Sequence, residues 1–274
     1  MQQNHFLTRY YRISRIFIHT FVGLTLAAVV LPLVSKSVNR KLVKWWCGGL
    51  LRAFNINVSV HGQAPAANTS SVMFVANHIS WSDIHALNSI IPLRFIAKSD
   101  IKNWPVFGYL VRKSNTIFVE RGKRQEAGRI VELTKNSLSA GDNVCFFPEG
   151  TTTDGTGAGG HGIQGHGLRG VLVLAFKSSV LQAAIDANAH IWPVAIRYAH
   201  PNGSINTQMA YAGNTTLIES MQNVLRQKNP TVSLYFLTPI QASGQDRRHL
   251  TQEAYDAVVH KLNELHHADQ NLPA

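Results

Sequence analysis

The sequence predicts an α/β protein in which helices flank a largely parallel mixed sheet, preceded by an N-terminal helical membrane anchor. Three observations predict it. Short runs rich in β-branched and aromatic residues alternate with longer stretches of helical periodicity, the order that builds parallel sheets. An uncharged apolar run of about 20 residues occupies positions 16–35, close to the length that crosses a bilayer. Basic residues bracket that run, and the first acidic residue of the chain is Asp83.

The charge distribution separates an anchor from a body. The net charge of +11 is concentrated at the start: residues 1–82 hold eight Lys and Arg and no Asp or Glu. Positive charge flanking an apolar segment suits anionic lipid head groups. Nucleic acid is not an expected partner, because the cations bracket an apolar span instead of forming a basic stripe on a polar face. The segment KLVKWWCGGLLRAF, 41–54, mixes Trp45, Trp46, Leu50, Leu51 and Phe54 with cations, as an interfacial helix does. Residues 1–55 are therefore assigned to membrane anchoring and 56–274 to the α/β domain. Cys47 and Cys145 are far apart and match no metal spacing.

Within the body, strands are expected at 56–62, 71–77, 94–98, 115–120, 143–148, 191–198 and 232–237. Helices are expected near 83–91, 104–113, 123–139, 176–188, 215–227 and 247–266; the last carries Leu250, Ala254, Ala257, Val258, Leu262 and Leu265 at helical spacing. The stretch 154–170 holds eight glycines and reads as a mobile loop, since glycine loses the most freedom on ordering. Its His161 and His166 read as solvated loop residues; two ligands without a third do not make a metal site.

The chemistry begins at SVMFVANHISWSDIHAL, 71–87. His78 follows the end of an expected strand, where open α/β sheets place their ligand crevices. Ser80 or Ser82 reads as the N-cap of the next helix, with Asp83 in its first turn. Residues five apart do not share a helical face, but a strand–turn–helix junction folds the carboxylate back onto the imidazole. An aspartate there fixes one tautomer and leaves the other nitrogen as a general base. No G-x-S-x-G elbow is present, so the base is expected to act on a hydroxyl of a bound substrate. Other strand ends add Lys98, Arg121 and the turn FFPEGTTTDG, with Glu149, Gly150 and Thr151. Arginine's planar fork suits phosphate or carboxylate.

At these residues the chain resembles the glycerolipid acyltransferase family, whose bacterial members include 1-acylglycerol-3-phosphate acyltransferases. NHISWSD matches the N-H-x-x-x-x-D signature at Asn77, His78 and Asp83. IFVERG, FPEGT and IWPVAIRY resemble the second, third and fourth blocks, in order, over residues 40–200. The resemblance implies a membrane-bound O-acyltransferase that moves an acyl group from acyl-CoA or acyl-carrier protein to a lysophospholipid, foremost 1-acyl-sn-glycerol-3-phosphate, giving phosphatidic acid. His78 would be the base and Asp83 its support; Lys98 and Arg121 would hold the acceptor phosphate, and Glu149, Gly150 and Thr151 would shape the acceptor site. Neither metal nor cofactor is implied. The implied location is the cytoplasmic (inner) membrane, catalytic domain facing the cytoplasm. Thr152 stands where many members carry arginine, and with FKSS at 176–179 it resembles members that acylate lyso-ornithine lipids. A non-catalytic lipid-binding membrane protein is the rival of a different class.

Overall fold

The structure is a computed structural model that describes residues 6–120, 124–156 and 171–270. The expectations placed on Arg121, His161, His166 and most of the glycine-rich stretch fall outside the described residues. In chain order the regular elements begin with α1 (Phe6–Thr25), α2 (Lys36–Phe54), β1 (Asn57–Gly62), β2 (Val72–Ala76) and α3 (Ser82–Ile90). They continue with β3 (Arg94–Lys98), α4 (Phe107–Lys113), β4 (Ile117–Val119), α5 (Arg124–Ser139) and β5 (Val144–Phe146). After the glycine-rich stretch come α6 (Gln182–Asp186), β6 (His190–Ala199), α7 (Leu217–Arg226), β7 (Thr231–Phe236), β8 (Ile240–Gln241) and α8 (Arg247–Gln270).

The sheet runs β1-β7-β6-β2-β5-β3-β4, with β8 paired to β6. All pairs along this path are parallel except β6–β7, and β8 is antiparallel to β6 as well. The mixed, mainly parallel sheet is thus as expected. Strand β2 lies near its centre and is buried at every position. Its alternation divides the core: Val72, Phe74 and Ala76 join the cluster under α2 and α3, while Met73 and Val75 join the one under α5, α6 and α8. A strand covered on both faces reads as continuously apolar for this reason.

Several boundaries differ from expectation. The helix expected at 104–113 starts only at Phe107, because Pro105 and a short 3-10 turn over Ser99–Asn103 precede it. The one expected at 176–188 shrinks to a 3-10 turn at Ser179–Leu181 followed by α6. Neither Ser80 nor Ser82 caps α3. The N-cap position is Trp81, without a side-chain cap bond, and Asp83 itself reaches back to the amides of Ile79 and Ser80.

The helix that carries the uncharged run 16–35 begins ahead of it, at Phe6. Helix α1 continues through a π-helical turn (Leu26–Val30) and a 3-10 turn (Leu31–Leu33), giving 28 apolar-rich residues from Phe6 to Leu33. Pro32 ends it, and Ser35 accepts from Val38 N to start α2. The two helices form a hairpin laced by reciprocal bonds. His19 Nε2 donates to Trp46 O (2.8 Å), and Trp46 Nε1 donates to His19 O (3.1 Å). Glycines permit this approach: a Cβ on Gly23 would lie 2.2 Å from Trp46 Nε1, and one on Gly49 2.3 Å from His19 Cε1. The hairpin is also fixed to the body. Arg12 donates to Gln227 O (2.7 Å) and Lys228 O (2.6 Å), and Arg40 pairs with Asp142. Leu50, Leu51 and Phe54 enter the main core, each burial contributing about 1.5–3 kcal/mol. The boundary at residue 55 therefore falls at the turn from α2 to β1, yet α2 helps build the core of the domain that follows.

Candidate active site

Two strand ends build the site. Where β2 stops, Asn77 continues the sheet with its side chain: Nδ2 donates to Ile196 O (2.9 Å) and Oδ1 accepts from Ile196 N (2.7 Å). The backbone then leaves the sheet and exposes His78. That turn is tied to the one after β5. His78 N donates to Glu149 Oε1 (2.6 Å), Thr153 N donates to His78 O (2.9 Å), and Leu174 N donates to Glu149 Oε2 (2.9 Å). Burial pushes the Glu149 carboxyl up to about 8; the two amide bonds pull the other way and the Asp83 charge adds to the rise.

The imidazole is held on two sides. Its Nδ1 donates to Asp83 Oδ2 at 2.8 Å, and its ring stacks on Phe147 with centroids 4.0 Å apart and planes 10° off parallel. Asp83 is fully buried. Its Oδ2 also accepts from Ile79 N (2.8 Å) and Ser80 N (2.9 Å), and its Oδ1 accepts from the Tyr198 hydroxyl (2.5 Å). Tyr198 contacts Ser82 Oγ at 2.8 Å, and Ser82 Oγ donates to Ser80 Oγ at 3.1 Å. Burial and the adjacent Asp83 charge push the Tyr198 phenol well above its ordinary value, so it stays a donor. With Nδ1 engaged, the imidazole presents Nε2 as the nitrogen able to take a proton.

His78 opens onto a cavity of about 860 Å³. That size falls in the range of roughly 300–1,000 Å³ common to small-molecule sites. Near the sheet edge its wall includes Lys98, Gly150, Thr151, Thr152 and Lys177; deeper, it passes between the hairpin and α3. Gly150 has φ +73°, a left-handed turn conformation that favours glycine. Of the residues expected to form the site, His78, Asp83, Lys98, Gly150 and Thr151 meet around this space or directly behind it. Glu149 lies behind the wall instead, its two oxygens engaged by backbone amides. Thr152 gives its hydroxyl proton to Tyr211 O. Among the described residues no group of three or more His, Cys, Asp or Glu could hold a metal ion.

Sequence reasoning did not single out Tyr198, Lys177 or His85. Tyr198 was within reach: it ends IWPVAIRY, on a strand whose C-terminal end had to face the same edge. Nothing local marks its partner, which is 115 residues away in the chain.

At the edge of an α/β sheet, a histidine oriented by a buried aspartate thus faces a deep cavity. The chain belongs to the Acyltransferase family, which matches residues 57–197, and it is an acyltransferase. It is 32% identical to the lyso-ornithine lipid O-acyltransferase of Pseudomonas aeruginosa, over 81% of this chain and 78% of that one. It is 31% identical to the 1-acyl-sn-glycerol-3-phosphate acyltransferase of Neisseria gonorrhoeae, over 82% of this chain and 81% of that one. The crystal structure of the 1-acyl-sn-glycerophosphate (LPA) acyltransferase of Thermotoga maritima superposes with a TM-score of 0.57 at 20% identity, covering 96% of this chain and 99% of that one; at that identity the likeness is one of fold.

Proposed function

We propose that this protein transfers a fatty acyl group from acyl-CoA or acyl-carrier protein to the free hydroxyl of a lysolipid at a membrane surface, with 1-acyl-sn-glycerol-3-phosphate as the leading acceptor and phosphatidic acid as product. The observation that carries the reading is His78, oriented by buried Asp83 and facing the large cavity. His78 Nε2 takes the hydroxyl proton as the oxygen attacks the thioester carbonyl. The tetrahedral intermediate collapses, the carbon–sulfur bond breaks, and the thiolate leaves with the proton from the imidazolium. Asp83 stabilises that imidazolium. General-base help of this kind contributes about 10²–10⁴-fold. Lys98 and Lys177 supply positive charge on the cavity wall for an acceptor phosphate, with Arg121 as a further phosphate ligand. Gly150 and Thr151 line the acceptor end, and Glu149 holds the His78 turn in place.

A second acceptor, a lyso-ornithine lipid, is favoured by one observation: Thr152, committed to the Tyr211 carbonyl, offers no charge where a phosphate would want one. An acceptor panel decides between them. Purified protein in vesicles receives labelled palmitoyl-CoA with either lysophosphatidate or lyso-ornithine lipid, and the labelled product identifies the acceptor. His78→Ala is expected to lower transfer by at least about 10²-fold; full activity in that variant would end the mechanism.

The hairpin explains access to such substrates. Phe17 and Phe21 are 72% and 71% exposed, while Arg12 and Arg40 bind the helices to the body. Held at these two points, with Gly23, Leu26, Ala27 and Leu31 lining the cavity, the hairpin turns its other apolar face outward, which fits a helix pair lying in one leaflet. We expect Phe17→Glu with Phe21→Glu to release the protein from vesicles in a flotation assay; unchanged flotation would refute this placement. The cytoplasmic face of the inner membrane is the compartment proposed, where acyl-CoA and acyl-carrier protein are available.

A further inference from the structure

One polar group inside the cavity has no task in the chemistry above. His85 lies on the stripe of α3 that faces the cavity, with Trp81, Ile84 and Asn88. These positions follow i, i+3, i+4 and i+7, one side of a helix. Its ring sits between two indoles, 5.9 Å from Trp46 and 5.9 Å from Trp81. Nδ1 approaches Trp81 O at 3.2 Å. A carbonyl only accepts, so Nδ1 carries the proton and Nε2 of the neutral ring is left as an acceptor. No described residue donates to it. The side chain is partly accessible, although it is walled by α2 and α3, and that access is to the cavity.

The ring does not gain its missing partner by taking up a proton. Burial pushes His85 down to about 4, against the pull of the Trp81 carbonyl, and the charge of His19 lowers it further. At neutral pH it remains an acceptor that must find a donor or go without. A buried acceptor left unpaired costs about 1–3 kcal/mol, roughly a 5- to 150-fold change in an equilibrium.

We propose that His85 Nε2 is a recognition point within the lipid cavity, accepting a hydrogen bond from a hydroxyl or amide N–H carried on a substrate chain, so that the enzyme favours a hydroxylated or amide-linked chain over a plain alkyl one. A plain chain covers Nε2 and leaves it unpaired. A chain bearing a donor at that depth pairs it. The selectivity lies in the cavity wall, separate from the head-group contacts at Lys98 and Lys177. It rests on the reading that this cavity holds a lipid chain, and its test is arranged to fail separately from that reading.

Two panels locate the donor. One holds the acceptor constant and compares palmitoyl-CoA with 3-hydroxypalmitoyl-CoA. The other holds the thioester constant and compares lysolipids of equal length with an ester-linked plain chain or an amide-linked chain. In one panel the donor-bearing substrate is expected to show about a 10-fold higher kcat/KM, as one rescued buried acceptor allows. In His85→Phe that preference should fall to within about two-fold, in chain binding as in turnover. His85→Gln, which restores an acceptor oxygen, should recover part of it. Binding of free 3-hydroxypalmitate against palmitate, read from tryptophan fluorescence, makes the same comparison without turnover. Equal handling of both chains by the wild type, or a preference that survives His85→Phe, would overturn the proposal; loss of all transfer with the binding preference intact would count only against the catalytic reading.

Discussion

Two buried aspartates stand at opposite edges of the same sheet and serve different ends. Asp142, just before β5, accepts from Arg40, from Arg94 Nη1 at 3.1 Å and from Ser137 Oγ at 3.1 Å. Burial would raise its carboxyl, but these three partners outweigh it and hold it below the usual range. Asp83, after β2, receives two amides, a phenol and an imidazole, with no guanidinium among them. Two fixed cations make Asp142 a clamp joining α2, β3 and α5. Neutral donors and one titratable ring leave Asp83 able to stabilise a charge that forms only during reaction. Residue type is the same; the partners give Asp142 a structural charge and, under the proposed mechanism, Asp83 a reactive one.

Exchanging each carboxylate for its amide should separate the two. Asp83→Asn is expected to lower kcat by about 10²–10⁴-fold, because the amide no longer supports an imidazolium. Asp142→Asn should leave kcat within about two-fold while costing about 1–3 kcal/mol in denaturant unfolding, since two arginines lose their counter-charge. If Asp142→Asn abolished transfer without loss of stability, the division between clamp and catalytic support would be wrong. Tyr198→Phe sharpens the same contrast. It removes a single neutral donor from Asp83, and we expect kcat to fall about 10-fold with KM unchanged, the value of one hydrogen bond expressed in the transition state. A variant that altered only melting temperature would make Tyr198 a packing residue.

The smallest expected effect concerns Glu149, the third buried acid. Its carboxyl is raised from 4.5 to about 8, so the fold binds this proton more tightly than the unfolded chain does. The stabilisation is therefore complete below about pH 4.5 and is lost as pH rises through about 8. Glu149→Gln, which has no proton to release, should flatten the stability–pH curve across that interval. Thermal unfolding measured from pH 5 to 9 checks it: parallel curves for the two proteins would remove the raised acid from the account.

Much of this organisation was legible in the chain. Strand β2 announced itself because a strand buried on both faces is continuously apolar, and β3 fell where it was expected, at 94–98. The His78–Asp83 pair was legible because a strand–turn–helix junction is local, and five residues are enough to fold one side chain onto the other. The cap of α3 was misread for a related reason. Two serines satisfied the local rule, but Ser80 Oγ meets only Ser82 N, at 3.4 Å, while Asp83 takes Ile79 N and Ser80 N ahead of the helix. Helix α6 was overextended because periodicity does not reveal where a chain must run irregularly, as residues 171–178 do. The short β8 was missed because two residues carry no pattern.

The sequence by itself determined the α/β class, the apolar N-terminal helices and the placing of polar side chains at strand ends, since each depends on periodicity and on charge along a short stretch. Only the tertiary structure decided what those ends do to one another. Glu149 holds the His78 turn from 71 residues away, and Tyr198 donates to Asp83 from 115. The fold also turns Arg12 and Arg40 inward to pin the hairpin, and places His85 on the cavity wall. The physical reason is strand order. With β2 between β6 and β5, distant segments end side by side, and that adjacency comes from packing a whole sheet, not from any run of residues within it.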